Sequence, residues 1–280
     1  MKIIRSIGLL RKELGACRRK GLTVGFVPTM GYLHEGHLSL IRGSRKDNDI
    51  TVVSIFVNPA QFGPREDYRT YPRDLKRDAD LCKKAGAAYV FYPDVGSMYP
   101  AGFSTRVKVD GLTDNLCGKF RPSHFEGVTT VVAKLLNIVR PDRTYLGQKD
   151  AQQAIVLQRL AIDLDTGTQV KVMPTVREKD GLAMSSRNKY LSSDGRRAAP
   201  EIYRALQEAR LLIKSGNKDA GDIISRIRRR IGPAASKIDY ISVVSTKDLK
   251  DIKKIKGEAL IAVAVWIGRT RLIDNIKVRA

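Results

Sequence analysis

The sequence predicts an α/β protein in two parts, a doubly wound parallel sheet over residues 1–175 and a smaller C-terminal α+β domain over 176–280. Three observations carry this. Continuously apolar runs such as Val52-Val53-Ser54-Ile55-Phe56-Val57 alternate with amphipathic stretches through the first part, as strands covered on both faces by helices require. Beyond about residue 175 the order changes to helices followed by strands. At 280 residues the chain has room for two cores, at about 100–200 residues each.

The elements follow in order. Ile3, Ile4, Ile7, Leu10 and Leu14 stand at helical spacing in residues 1–14, without the unbroken apolar run of a signal peptide. Strands are expected at 23–30, 50–57, 88–92, 143–146 and 169–176. Helices are expected between them at 36–46, 73–85, 126–139 and 151–163. In such a sheet, ligands sit at the carboxyl ends of the strands. A loop over 177–192 leads to helices at 194–214 and 219–231, and then to strands at 239–244, 259–266 and 270–276.

Composition narrows the classes. Lys and Arg number 51 against 29 Asp and Glu, a net charge of +22, with 42% hydrophobic residues. That balance is globular, and no apolar run approaches the roughly 18–20 residues of a spanning helix, so no membrane is expected. Cys17, Cys82 and Cys117 are odd in number and widely spaced, which reads as reduced thiols of a cytoplasmic protein. Residues 1–174 hold 27 basic and 17 acidic side chains, and 175–280 hold 24 and 12. The densest cluster, Arg226 with Arg228, Arg229 and Arg230, is interleaved with Ile223, Ile224, Ile227 and Ile231 and reads as the solvated face of an amphipathic helix. Aromatics are 6% and show no base-stacking cluster, so no nucleic-acid partner is expected.

Three segments carry chemistry. Val27-Pro28-Thr29-Met30-Gly31-Tyr32-Leu33-His34-Glu35-Gly36-His37 runs from a strand end into a helix. His34 and His37 share one side of its first turn, and Gly31 and Gly36 let a phosphate chain approach the backbone. The His-Glu-Gly-His order lacks zinc-protease spacing and no ligand cluster completes it, so phosphate binding suits the placement better. In Gly147-Gln148-Lys149-Asp150-Ala151-Gln152-Gln153, Lys149 suits phosphate, Asp150 ribose hydroxyls and the glutamines a polar substrate, although alone the segment also reads as an ordinary helix start. In residues 177–188, Met184-Ser185-Ser186-Arg187 with a hinge at Gly181 could close over a triphosphate. The His34–His37 element followed by the Met-Ser-Ser-Arg loop is similar to a pair in class I aminoacyl-tRNA synthetases and nucleotidyltransferases. Asn58 and Gln61, after a buried strand, and Arg121 and His124, opening a helix, belong to the same sheet edge.

Taken together, PTMGYLHEGH, SIFVNPAQFGPREDY, YPRDL, HFEGV, RPDRTYLGQKDAQQ, DGLAMSSRN and RLIDN resemble the pantoate–β-alanine ligase family over essentially the whole chain. The resemblance implies a Rossmann-like ATP- and pantoate-binding domain (1–175), a C-terminal lid domain (176–280) and a homodimer. It implies ATP-dependent joining of (R)-pantoate to β-alanine through pantoyl adenylate, with release of AMP and pyrophosphate. By this resemblance Met30, Gly31, Tyr32, Leu33, His34, Glu35, Gly36 and His37 form the ATP loop. His37 is its proton donor and His34 the phosphate-stabilising neighbour, and Lys149 joins them as catalytic. Gly147, Gln148, Lys149, Asp150, Val176, Met184, Ser185, Ser186 and Arg187 bind ATP. Gln61 and Gln153 hold pantoate, and Asn58, Arg121 and His124 are further substrate contacts. Mg²⁺ accompanies ATP, with its protein ligands left open and Asp78 a candidate among them.

Ser123 stands where the family commonly has Gly and would be strained if that position takes a positive φ. Gln148 replaces a frequent Glu, which is harmless if the backbone makes the contact. A nucleotidyltransferase acting on a phosphorylated acceptor is the competing enzyme, and the neutral Gln61 and Gln153 pair argues against it.

Overall fold

The computed structural model describes residues 1–64 and 66–280. By contact density the chain divides into two compact units, and no single cut in the sequence separates them. One comprises Met1–Asp110, Arg121–Gln148 and Gln153–Pro174, and the other Gly111–Phe120, Lys149–Gln152 and Thr175–Ala280.

The first unit is built on strands β1 (Lys2–Ile4), β2 (Val24–Thr29), β3 (Ile50–Ile55), β4 (Tyr89–Phe91), β5 (Arg143–Gly147) and β6 (Gln169–Met173), all parallel in the order β1-β4-β3-β2-β5-β6. Its main helices are α1 (Ile7–Arg19), α2 (Glu35–Asp47), α3 (Leu75–Lys84), the short α4 (Val95–Met98), α6 (His124–Val139) and most of α7 (Ala151–Asp163), while the short α5 (Cys117–Phe120) belongs to the second unit. Val53, Ile55 and Val90 turn one way, into a cluster with Leu40 and Ile41 of α2 and Cys82 of α3. The alternate residues Val52 and Phe91 are buried as well, so both sheet faces are covered and the strands read as unbroken apolar runs. From β2 the chain proceeds to β3 and β4 on one side, while β5 and β6 lie on the other. The direction of winding therefore reverses between β2 and β5, where a doubly wound sheet opens a crevice for ligands.

The second unit carries α8 (Ser193–Ala198), α9 (Glu201–Lys214), α10 (Ala220–Ile231) and an antiparallel sheet of β7 (Lys237–Ser245), β8 (Glu258–Ile267) and β9 (Thr270–Arg279). Ile202, Leu206, Ala209 and Ile213 of α9 and Ile223, Ile227 and Ile231 of α10 share one core with Val243, Ile261, Val263 and Ile276. The opposite face of α10 is basic and exposed, as the interleaving with isoleucine required, and Arg226 and Arg230 pair there with Asp222 (3.2 Å) and Glu201 (2.9 Å).

Several expectations are corrected. The chain starts with strand β1, and Ser6 then caps α1 by accepting from Leu9 N, so helical spacing does not begin at the first residue. The single helix at 194–214 is two, because Pro200 lacks an N–H and is accommodated only at the start of α9. Ser123 has φ −94° and ψ −5°, ordinary helical backbone, and the feared strain is absent. Among the described residues no helix is long and apolar enough to cross a membrane.

Candidate active site

At the end of β2 the chain turns sharply. Thr29 Oγ1 donates to Ser54 O (2.7 Å) and accepts from Gly31 N (3.1 Å). Gly31 (φ +84°) and Tyr32 (φ +50°) are both left-handed, and a Cβ on Gly31 would sit 2.9 Å from Ile55 Cγ2. Asp78 holds the turn: Oδ2 accepts from Tyr32 N (2.6 Å) and Oδ1 from Leu33 N (2.8 Å). Arg77 donates to Leu33 O (2.8 Å), and its guanidinium lies 5.0 Å from the Tyr32 ring centre. Asp78 is 1% exposed, and this burial raises its carboxyl pKa above the ordinary value despite the two N–H donors and Arg77. Its part in shaping the loop could not be read from sequence, because it lies 45 residues from Leu33. The loop also walls a cavity of about 290 Å³ with Phe56, Arg73 and Tyr92.

His34 caps α2 and its Nδ1 accepts from Gly36 N (3.2 Å), while His37 Nδ1 accepts from His34 N (3.3 Å). A neutral imidazole that accepts at Nδ1 carries its proton at Nε2. The reciprocal cap therefore sets both rings, 4.1 Å apart, as Nε2–H donors at the positive end of a helix, beside the β2/β5 reversal. Such donors suit phosphate oxygens.

Gln61 closes the 3₁₀ turn Pro59–Gln61 after β3. Its Oε1 accepts from Asn58 Nδ2 (3.1 Å) and its Nε2 donates to Met30 Sδ (3.1 Å). Its carbonyl accepts from His124 Nδ1 (2.9 Å), which places a proton on that nitrogen, and from Arg121 Nη2 (3.4 Å). Asn58 is 1% exposed and also donates to Gly127 O (3.0 Å) and accepts from Tyr99 Oη (2.7 Å), so both of its amide groups are engaged while it holds the Gln61 amide. Arg121 makes a bidentate pair with Glu66, at 2.6 Å for each bond. Burial alone would raise the Glu66 carboxyl, but the Arg121 hydrogen bonds and charge outweigh it and hold the pKa low. Gly127 is required here, since a Cβ on it would lie 2.2 Å from Ala60 O. Glu66, Tyr99 and Gly127 are the residues that sequence reasoning passed over. The first and last stand inside quoted motifs, while nothing local marks Tyr99.

The remaining predicted residues divide between the units. Gly147, Gln148 and Gln153 belong to the first. In the second, Lys149 Nζ stands 3.7 Å from Asp150 Oδ1 in the 3₁₀ turn Gln148–Asp150. The adjacent Gln152 is spent on backbone, accepting from Cys117 N (2.9 Å) and donating to Leu112 O (3.0 Å) and Asn115 O (2.8 Å). Val176 O accepts from Met184 N (3.0 Å) and Glu178 N donates to Leu182 O (2.8 Å), which makes a tight hairpin. Gly181 (φ +96°) is its turn residue, and a Cβ there would come within 2.6 Å of Tyr203. The expected hinge is thus a packed corner. Ser185 Oγ accepts from Arg187 N (3.3 Å) and caps the following 3₁₀ turn, Ser186–Tyr190. Among the described residues no three His, Cys, Asp or Glu side chains gather to hold a metal.

Residues 2–277 match the family model described as pantoate-beta-alanine ligase. The chain belongs to the pantoate–β-alanine ligase family. A pantothenate synthetase of Moorella thermoacetica is 52% identical over 277 residues, covering 99% of this chain and 98% of that protein. The crystal structure of pantothenate synthetase from Thermus thermophilus superposes with a TM-score of 0.93 at 44% identity, covering 99% of both chains. A pantoate-beta-alanine ligase of Francisella tularensis, solved in complex with beta-gamma ATP and beta-alanine, aligns with a TM-score of 0.82 at 36% identity, over 99% of this chain and 97% of its own. The six-stranded parallel sheet and the small antiparallel sheet are therefore the architecture of a ligase family.

Proposed function

We propose that this ligase condenses (R)-pantoate with β-alanine to pantothenate through pantoyl adenylate, releasing AMP and pyrophosphate. A pantoate carboxylate oxygen attacks the α-phosphorus of ATP, and the bond to the bridging oxygen of pyrophosphate breaks. The β-alanine amine then attacks the acyl carbon, AMP leaves with the former carboxylate oxygen, and the amine loses a proton. His34 and His37 donate Nε2–H to phosphate oxygens as negative charge builds on them, and Lys149 neutralises the leaving pyrophosphate. Gly147, Gln148, Asp150, Val176 and Met184 to Arg187 complete the ATP contacts. Gln61 and Gln153 hold pantoate, with Asn58, Arg121 and His124 fixing the Gln61 side. ATP enters as its Mg²⁺ complex, the metal held by phosphate oxygens and water. Asp78 is left out of the metal's ligands, since both of its oxygens are committed to the loop. Residues 1–175 form the ATP- and pantoate-binding domain, residues 176–280 serve as the lid that adds Val176 and Met184 to Arg187 to the ATP contacts, and the enzyme works as a cytoplasmic homodimer.

The observation that carries this is the pair of histidines at the start of α2, each with Nδ1 occupied by backbone, in a chain whose family match spans residues 2–277. The test is isotope exchange between pyrophosphate and ATP. Exchange should require pantoate and proceed without β-alanine. His37→Ala or Lys149→Ala should lower it by about 100-fold or more, as loss of a transition-state donor does. Exchange that ignores pantoate would overturn the reaction order, and a variant at the wild-type rate would remove that residue from the chemistry.

A further inference from the structure

We propose that Asp274 and Asn275, neighbours on β9, are positioning residues that hold Lys149 and the hairpin carrying Met184–Arg187 in one frame for attack on ATP. The proposal rests on the reading of those segments as ATP-binding, and every contact it uses lies inside the second unit.

Asp274 alternates with Leu272, Ile276 and Val278 on the buried side of β9 and is itself 4% exposed. A carboxylate on that side needs a partner. Arg177 supplies it through a fork, Nη1 to Oδ2 at 2.6 Å and Nη2 to Oδ1 at 2.9 Å, and Asn275 N adds a third bond at 2.7 Å. Arg177 is held on its other sides as well. Its Nη1 donates to Gly181 O (3.1 Å), and its guanidinium carbon lies 3.6 Å from the Tyr203 ring centre. Arg177 pairs across the hairpin with Ala183, the residue before Met184. Fixing this one guanidinium therefore fixes where Met184 emerges.

Asn275, also 4% exposed, points to the opposite side of the strand and donates Nδ2 to the carbonyl of Lys149 at 2.9 Å. Two adjacent residues of one strand thus reach two segments that lie far apart in sequence. A buried ion pair is a poor device for stability alone, since well-packed apolar residues do as well or better. What a planar fork supplies is orientation. That is what a reaction sensitive to displacements of about 1 Å requires.

The test uses the full-length enzyme and pantoate-dependent exchange between pyrophosphate and ATP. Asn275→Ala and Asp274→Asn should each lower exchange by about 10- to 100-fold, the scale of a small misplacement, mostly through a raised KM for ATP. The KM for β-alanine in the complete reaction should stay at the wild-type value. Combining Asn275→Ala with Lys149→Ala should cost no more than Lys149→Ala alone, because Asn275 acts through Lys149. Should Asp274→Asn fail to fold, Asn275→Ala leaves the ion pair intact and decides the matter. Wild-type KM for ATP in a folded variant, or losses that multiply in the double variant, would overturn the proposal. A wild-type enzyme without pantoate-dependent exchange would overturn the parent reading and this inference with it.

Discussion

Between Met30 and His34 the backbone passes through two left-handed residues, and the Asp78 carboxylate accepts the N–H groups that follow them. A left-handed tyrosine is uncommon and persists only where its surroundings insist on it. Asp78→Ala should therefore destabilise the protein by about 2–4 kcal/mol, since it strands one buried and one partly buried donor. It should also raise the KM for ATP more than that for pantoate. Denaturant unfolding and steady-state kinetics check the two halves separately, and unchanged ATP kinetics in a folded variant would detach Asp78 from the loop's function. Gly127 makes the converse case, where the absence of a side chain matters. Gly127→Ala forces a methyl group against Ala60 O, an overpacking that costs about 1–3 kcal/mol. The displaced turn carries Gln61, so the KM for pantoate should rise at least several-fold while that for ATP moves little.

At the scale of elements, the site depends on how α6 is tied to the turn after β3. His124 on the Gln61 carbonyl and Asn58 on the Gly127 carbonyl make that tie, the Glu66–Arg121 pair joins the segments flanking it, and the pH dependence of this pair has a definite sign. The Glu66 carboxyl is held below its ordinary value of 4.5 in the folded protein. The pair's stabilisation is then complete above that value and is lost as pH falls through the lower folded value. Thermal melting of the wild type and Glu66→Gln should show a gap near neutrality that closes in acid, and a gap independent of pH would assign it to packing. Elements of this kind were legible in sequence to different degrees. The strands around Val52–Val53 were plain because both faces are covered, so hydrophobicity is continuous. Strand β1 was not, because it is three residues long at a sheet edge and only Ile4 is buried. The placement of His34 and His37 together was legible because they stand three residues apart at the start of one helix. The service of Asp78, Tyr99 and Asp274 was not, since each acts on a segment tens of residues away and no periodicity records such a pairing.

Over the whole molecule the surplus of 22 positive charges is the largest feature left unassigned by the site. Part of the basic population is tied up locally, as in Arg226 with Asp222, Arg159 with Asp163 and Lys171 with Asp47. Exposed pairs of this sort contribute about 0–1 kcal/mol each and leave the net charge untouched. What the surplus does is set a long-range potential, and the proposed reactants, ATP and pantoate, are both anions. Such a potential concentrates anions near the protein and weakens as salt shortens its reach, from about 30 Å at 0.01 M to about 10 Å at 0.1 M. The kcat/KM for ATP should accordingly fall as ionic strength rises through that range, with kcat nearly constant, because the bound state is screened far less than the approach. ATP carries more charge than pantoate, so its kcat/KM should fall more steeply. Measuring both against sodium chloride at fixed free Mg²⁺ separates this from simple competition for the metal. A flat response for both substrates would leave the charge as surface alone, whereas tight RNA binding at near-physiological salt would redirect it to a polymer.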